Sequence, residues 1–193
     1  MTGLTISDCN TGLSVYAGPG LTFSDGTLQS NDLGAYVSWG SLDIARTLVE
    51  DNTTGIEGGS ASNLTVTNST IEANDVGVRP DGATLRHNDI VANTIGIQTQ
   101  LSYVTMSYNM IAENDVGVEI GGYPTRKTLN YNNFVNNTDF AVVYAGGYDD
   151  GTVDATLNWW GSASISDIQD DIFDVYDDIS LFQVAFSPAL SQR

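Results

Sequence analysis

Short alternations of apolar and polar residues, each broken by Asn, Asp, Gly or Thr, fill most of this chain. That texture predicts strands and turns. One unit recurs: an aliphatic residue, Asn three positions on, Gly three further, then an aliphatic or small residue. It reads Leu28–Asn31–Gly34–Ala35, Val49–Asn52–Gly55–Ile56, Ile71–Asn74–Gly77–Val78, Ile90–Asn93–Gly96–Ile97 and Ile111–Asn114–Gly117–Val118. An earlier copy, Ile6–Cys9–Gly12–Leu13, has Cys in the Asn slot, and Phe134–Asn137 with Ala141–Val142 is a blurred later one. The period of roughly 21 residues lies in the range of solenoids.

One unit cannot bury its own apolar side, but stacked units can, because like positions align along the axis about 4.8 Å apart. The fold expected is all-β: a right-handed parallel β-helix of seven to eight coils over residues 1–161. A C-terminal cap over 162–193 is expected to follow. Phe23, Ile44, Val66, Leu85, Met106 and Leu129 form a second inward file, and the preceding residues Thr22, Asp43, Thr65, Thr84, Thr105 and Thr128 face outward. Thr156 and Leu157 read as continuing these two files into a coil whose anchor is lost. The Asn column is expected to bond the coils above and below. The Gly column suits either a positive φ or a close backbone approach. Cys9 reads as a small buried side chain. After the Asn column, acids alternate with threonines: Asp32, Thr53, Asp75, Thr94, Asp115, Thr138. Such alternation keeps like charges out of adjacent coils.

In the cap, Ser166-Asp167-Ile168-Gln169 resembles a capping box. Ile168, Ile172, Val175, Tyr176 and Ile179 then fall on one helical stripe, with Asp167, Asp170, Asp171, Asp174, Asp177 and Asp178 largely on the solvated side. The N-terminus begins inside a coil with no cap and no visible signal peptide, so further coils or a partner are expected there.

Net charge is −18, with 24 acids against six Lys and Arg. That excludes nucleic acid and anionic lipid as partners. Asp-rich, Lys-poor composition resembles that of high-salt proteins, in which salt screens self-repulsion. A calcium-rich exterior would also account for it. One Cys allows no internal disulfide, and no apolar run reaches membrane-spanning length. Asn-X-Ser/Thr sequons at Asn52, Asn63, Asn68 and Asn136 arise easily in so Asn- and Thr-rich a repeat.

The run Asn88-Asp89-Ile90-Val91-Ala92-Asn93-Thr94-Ile95-Gly96-Ile97 resembles the repeat of NosD-like periplasmic proteins and of carbohydrate-binding and sugar-hydrolase β-helices. Leu157-Asn158-Trp159-Trp160-Gly161, preceded by Tyr148-Asp149-Asp150-Gly151, resembles an ending common in archaeal surface β-helix proteins, as do Asp171–Asp178 and Val184–Leu190 after it. The resemblance implies an extracellular or cell-surface module. It supplies no catalytic residue, since the family spans lyases, hydrolases, epimerases and non-catalytic modules.

Three positions before each anchor the column reads Asp25, Arg46, Asn68, His87, Tyr108, Tyr131, with Trp159 taken to follow in register. If they point outward, His87, Tyr108, Tyr131 and Trp159 form a ridge of rings suited to a glycan; otherwise they are stacked corner neighbours that stabilise one another. His87 or Tyr108 as base with Arg86 against a uronate gives the alternative, a polysaccharide-active enzyme. The Thr file, interrupted by Asp43, gives a third reading, an ice-binding face. Loops at Gly121–Arg126 and Ala145–Asp154 are candidates for function. Asp149, Asp150 and Asp154 offer oxygens for a structural calcium, or are solvated loop acids.

Overall fold

The computed structural model describes residues 1–147 and 151–192. Each coil supplies three strands, as in Ala83–Arg86, Asp89–Val91 and Ile95–Thr99. Among the described residues these strands form parallel sheets of seven, eight and eight strands, stacked in chain order. The anchors are in register from Ile6 through Leu28, Val49, Ile71, Ile90 and Ile111 to Phe134. The second file, Phe23 to Leu129, is likewise in register and fully buried. Leu13, Ala35, Ile56, Val78, Ile97, Val118 and Val142 make the third. The three files enclose one continuous core. The Thr file faces out: Thr22, Asp43 and Thr105 are exposed, and Thr65, Thr84 and Thr128 are half-buried.

Two corners of each coil are left-handed. Asp25, Arg46, Asn68, His87, Tyr108, Tyr131 and Leu157 hold one, and Asp8, Ser30, Asp51, Ala73, Ala92, Glu113 and Asn136 the other, with φ from 49° to 62°. Residues with a Cβ adopt this conformation only at a cost. What holds it is the residue that follows. Asn93 donates its backbone N–H and its Nδ2 to Asn114 Oδ1, both at 3.0 Å, and Nδ2 also donates to the carbonyls of Ile71 and Val91. Its own Oδ1 accepts from the N–H and Nδ2 of Asn74. The same pattern runs from Asn31 to Asn114.

Of the two reasons open for the Gly column, close approach is the right one. None of these glycines has a positive φ; a Cβ on Gly77 would lie 2.6 Å from the carbonyl oxygen of Gly96, and one on Gly34 2.5 Å from that of Gly55. Cys9, expected to be buried, is exposed in the first described coil; its N–H still donates to Asn31 Oδ1.

The C-terminal segment departs from the expected helix. The helix, α1, spans Ile165–Asp170 and is capped by Ser164, which accepts from the Asp167 N–H. It stops there because Ile172–Phe173 pair with Val142–Val143, and Val184–Ala185 with Val153–Asp154. The tail thus adds strands to two of the solenoid's sheets. Ile168 and Ile172 are buried, but Tyr176 and Ile179 are exposed. Asp174, placed by the sequence on the solvated side, is fully buried.

Asp171 joins α1 to this last strand. Burial pushes its carboxyl up to about 6, against one opposing hydrogen bond from the Ala141 N–H at 3.1 Å. A folded-state value above the unfolded one means that the native state binds the extra proton. Stability from this group is therefore present below about pH 4 and is lost as pH rises to about 6. Asp171→Asn keeps an acceptor for Ala141 and removes the charge. It is expected to raise stability at pH 7 by about 1–2 kcal/mol, after allowing for partial solvent screening, and to do nothing at pH 4. Denaturant midpoints at the two pH values check this; an equal gain at both would assign the effect to something other than charge.

Candidate functional site

The left-handed corner that precedes the anchor strands carries the most varied side chains of the repeat. At its N-terminal end Arg46 pairs with Asp25 at 2.6 Å, and the guanidinium hydrogen bonds hold the Asp25 carboxyl down at about 2. Asn68 follows, exposed. Then come three rings: His87 and Tyr108 have centroids 5.2 Å apart and lie within 13° of parallel, and Tyr108 and Tyr131 are 5.3 Å apart and within 9°. Tyr108 is 46% exposed and Tyr131 43%. The Arg86 guanidinium lies 5.4 Å from the Tyr108 centroid. The strand register forces this stacking: consecutive corners lie one strand spacing apart, and rings on the same rotamer meet face to face. The faces are turned toward one another, so solvent meets the ring edges.

Trp159 is not part of this file. Leu157 occupies the corner, its carbonyl accepting from the Tyr131 N–H. Trp159 lies two residues on, bridged to Asn133, and Trp160 supplies the anchor of this coil, stacked on Phe134 at 4.7 Å. The continuation of the Thr file and of the inward file beside it is corrected too: Thr128 pairs with Asp154, not Thr156.

Of the suggested calcium ligands, Asp154 alone falls among the described residues. Asp149 and Asp150 lie outside the described residues. Burial works to raise the Asp154 carboxyl, but hydrogen bonds from the Thr156 hydroxyl and N–H and from the Asn130 amide outweigh it, and the result is below the usual value. Its bonded oxygen thus closes a local turn. The loop at Gly121–Arg126 is partly ordered as strand Val116–Gly122 and a 3-10 turn, Pro124–Arg126. There Arg126 lies 4.1 Å from the Tyr123 ring centroid and 5.3 Å from that of Tyr103.

A second amide ladder supports the aromatic corner, and the sequence reading missed it. Asn88, Asn109, Asn132 and Asn158 each follow a corner residue, and each Nδ2 of the first three donates to the next Oδ1 at 2.9–3.2 Å. In earlier coils Ser69 and Thr47 hold the same place, and Thr47 N–H donates to Ser69 Oγ. Asn at coil-period spacing one residue after each ring was the available signal.

Residues 1–160 match the protein-family model described as "Periplasmic copper-binding protein (NosD)". No curated protein and no solved structure matches.

Proposed function

The chain belongs to the NosD family, whose fold is a right-handed β-helix, and on that premise we propose that it is a non-catalytic module acting outside the cytoplasm, whose aromatic corner contacts a glycan. The observation that carries this is the exposed file of His87, Tyr108 and Tyr131, stacked at 5.2 and 5.3 Å. Because the ring faces are occupied by one another, the file offers polar edges at a fixed repeat. That repeat is close to the length of one sugar unit in an extended β-linked polysaccharide, so a strand lying along the axis would meet an equivalent group at each unit. Arg86 beside Tyr108 adds donors for hydroxyl or carboxylate oxygens.

Binding to a glycan array is the test. Tyr108→Ala and Tyr131→Ala are each expected to weaken binding by about fivefold, the equivalent of about 1 kcal/mol, with small changes in melting temperature. An array without hits, or variants that bind as the native chain does, would leave the rings a structural role alone.

The family is named for copper binding. Copper takes imidazole, thiolate or thioether ligands. This chain has one His and one Cys, and Cys9 lies in the first coil while His87 is packed on Tyr108 several coils away. Among the described residues no three His, Cys, Asp or Glu side chains are grouped to hold a metal. The donor set does not fit copper, and no role is assigned through it.

The charge of −18 supports a salty working environment. The melting temperature is expected to climb as NaCl is raised from low to molar concentration, since screening relieves the repulsion. A flat profile would argue against adaptation to high salt.

A further inference from the structure

The outer faces of the three sheets differ in charge. Two of them carry acids in their middle coils: Glu50, Glu72 and Asp89 on one, Glu57 and Glu119 on another. The third, which bears the Thr file, carries them only toward its ends. Asp43 stands one coil before Thr65, and Asp154 one coil after Thr128. From Thr65 through Thr84 and Thr105 to Thr128, neither the file nor its outward neighbours include an acid. The fold does not impose this, since Asp43 and Asp154 occupy the same file.

Two arginines border the acid-free stretch, and among the described residues neither is paired with a carboxylate, whereas Arg46 and Arg79 both are. Arg86 is exposed on one margin. Arg126 stands on the other, roughly 13 Å away across the strands and two coils further along. It lies between the rings of Tyr103 and Tyr123, and its Nη1 donates to the Leu101 carbonyl at a long 3.4 Å. Tyr103 is 70% exposed. Arg126 covers one face of its ring. One coil back the same column holds Gly82, which has no side chain; the Ala83 N–H donates to the Tyr103 carbonyl as the Leu64 N–H does to that of Gly82. The second ring face is thus open, a platform for the apolar face of a sugar ring.

We propose that this sheet face binds a glycan bearing carboxylates, a uronate-containing chain, with the guanidinium groups of Arg126 and Arg86 taking its carboxylates, Tyr103 stacking on a sugar ring and the Thr hydroxyls meeting its hydroxyl groups. A forked guanidinium matches a carboxylate with two parallel bonds. The net charge of −18 opposes dense polyanions. Salt of about 0.1 M confines that repulsion to roughly 10 Å, so a sparsely charged glycan is read by the groups it touches. This face is separate from the ring edges of the corner and does not depend on them; it goes beyond the glycan reading by fixing the ligand's charge.

The test is calorimetric titration of the full chain, in about 0.1 M NaCl, with tetramers of galacturonate, mannuronate and glucuronate, each compared with its neutral methyl ester. At least one acid is expected to bind, and its ester about tenfold more weakly. Thr105→Glu places an acid in the middle of the file, at an exposed position of a kind that Asp43 already fills, so the melting temperature should hold while binding is lost. Arg126→Gln is expected to weaken binding about tenfold and Tyr103→Ala about fivefold. An ester that binds as well as its acid, a Thr105→Glu chain that binds as the native one does, or no binding of any acid would overturn the proposal. Binding lost in Tyr108→Ala but kept in Thr105→Glu and Arg126→Gln would assign the acid to the corner instead. If Thr105→Glu abolishes binding while Tyr108→Ala changes nothing here or on the array, the corner reading fails and this one stands.

Discussion

Asn93→Leu is expected to destabilise the protein by about 3–5 kcal/mol, more than most core truncations of similar size. Leu has nearly the same volume, so packing changes little; what is lost is polar. The Ile71 and Val91 carbonyls lose the Nδ2 donor, and the Asn74 N–H and Nδ2 lose their acceptor. All of this lies in or beside a buried column, where water cannot substitute. For a chain of this size the loss corresponds to a fall in melting temperature of about 10 °C. Asn93→Asp tests the mechanism: it keeps an acceptor for Asn74 but turns a carboxylate toward the two carbonyls. It should be at least as damaging at neutral pH. If Leu at this position melts within a degree or two of the native chain, the ladder does not stabilise the coils as argued.

The second large effect is expected at Asp174. Its carboxylate is fully buried and accepts from the Tyr176 N–H at 3.0 Å and the Val184 N–H at 2.8 Å. It therefore ties the strand at Ile172–Phe173 to the one at Val184–Ala185, ten residues apart in the chain. Asp174→Ala leaves both N–H groups unpaired and removes two charge-assisted bonds, a loss of about 3 kcal/mol. The loss should be local, because few strands depend on the tail. Limited proteolysis is expected to cut between residues 175 and 192 in the variant and not in the native chain, and amide exchange should speed up there first. Uniform acceleration across all coils would show instead that the tail governs the whole solenoid.

The repeating coils were legible because each column is a chemical statement made many times over. Leu28 to Phe134, Asn31 to Asn137 and Gly12 to Gly117 each repeat one residue type at one period. The second ladder escaped notice because only its last members are Asn; Thr47 and Ser69 do the same job with a hydroxyl. Register failed at Trp159 because the last coil is longer, with Asn132 and Asn158 as bonded partners 26 residues apart. Counting from those two asparagines would have put Leu157 in the corner and Trp160 at the anchor. In the tail, Ile168, Ile172 and Val175 do have helical spacing, but Ile172 gains more by extending a sheet whose edge is otherwise open. Tertiary pairing overrides a local period of so few turns. Of the four rings expected in the corner file, three stand there, and register alone places them.

Both amide ladders point one way. In each, the donors of one coil are met by the oxygen of the coil that follows it in the chain, as Asn31 is by Asn52 and Asn109 by Asn132. On a ribosome, then, a coil is not complete when its own residues have emerged. It waits for the next turn of about 21 residues, one to several seconds of synthesis, and until then the growing end carries unmet donors. The chain acquires its native structure with a lag of one coil, and the N–H groups of Val153, Ala155 and Leu157 wait in turn for the carbonyls of Gln183, Ala185 and Pro188 in the tail.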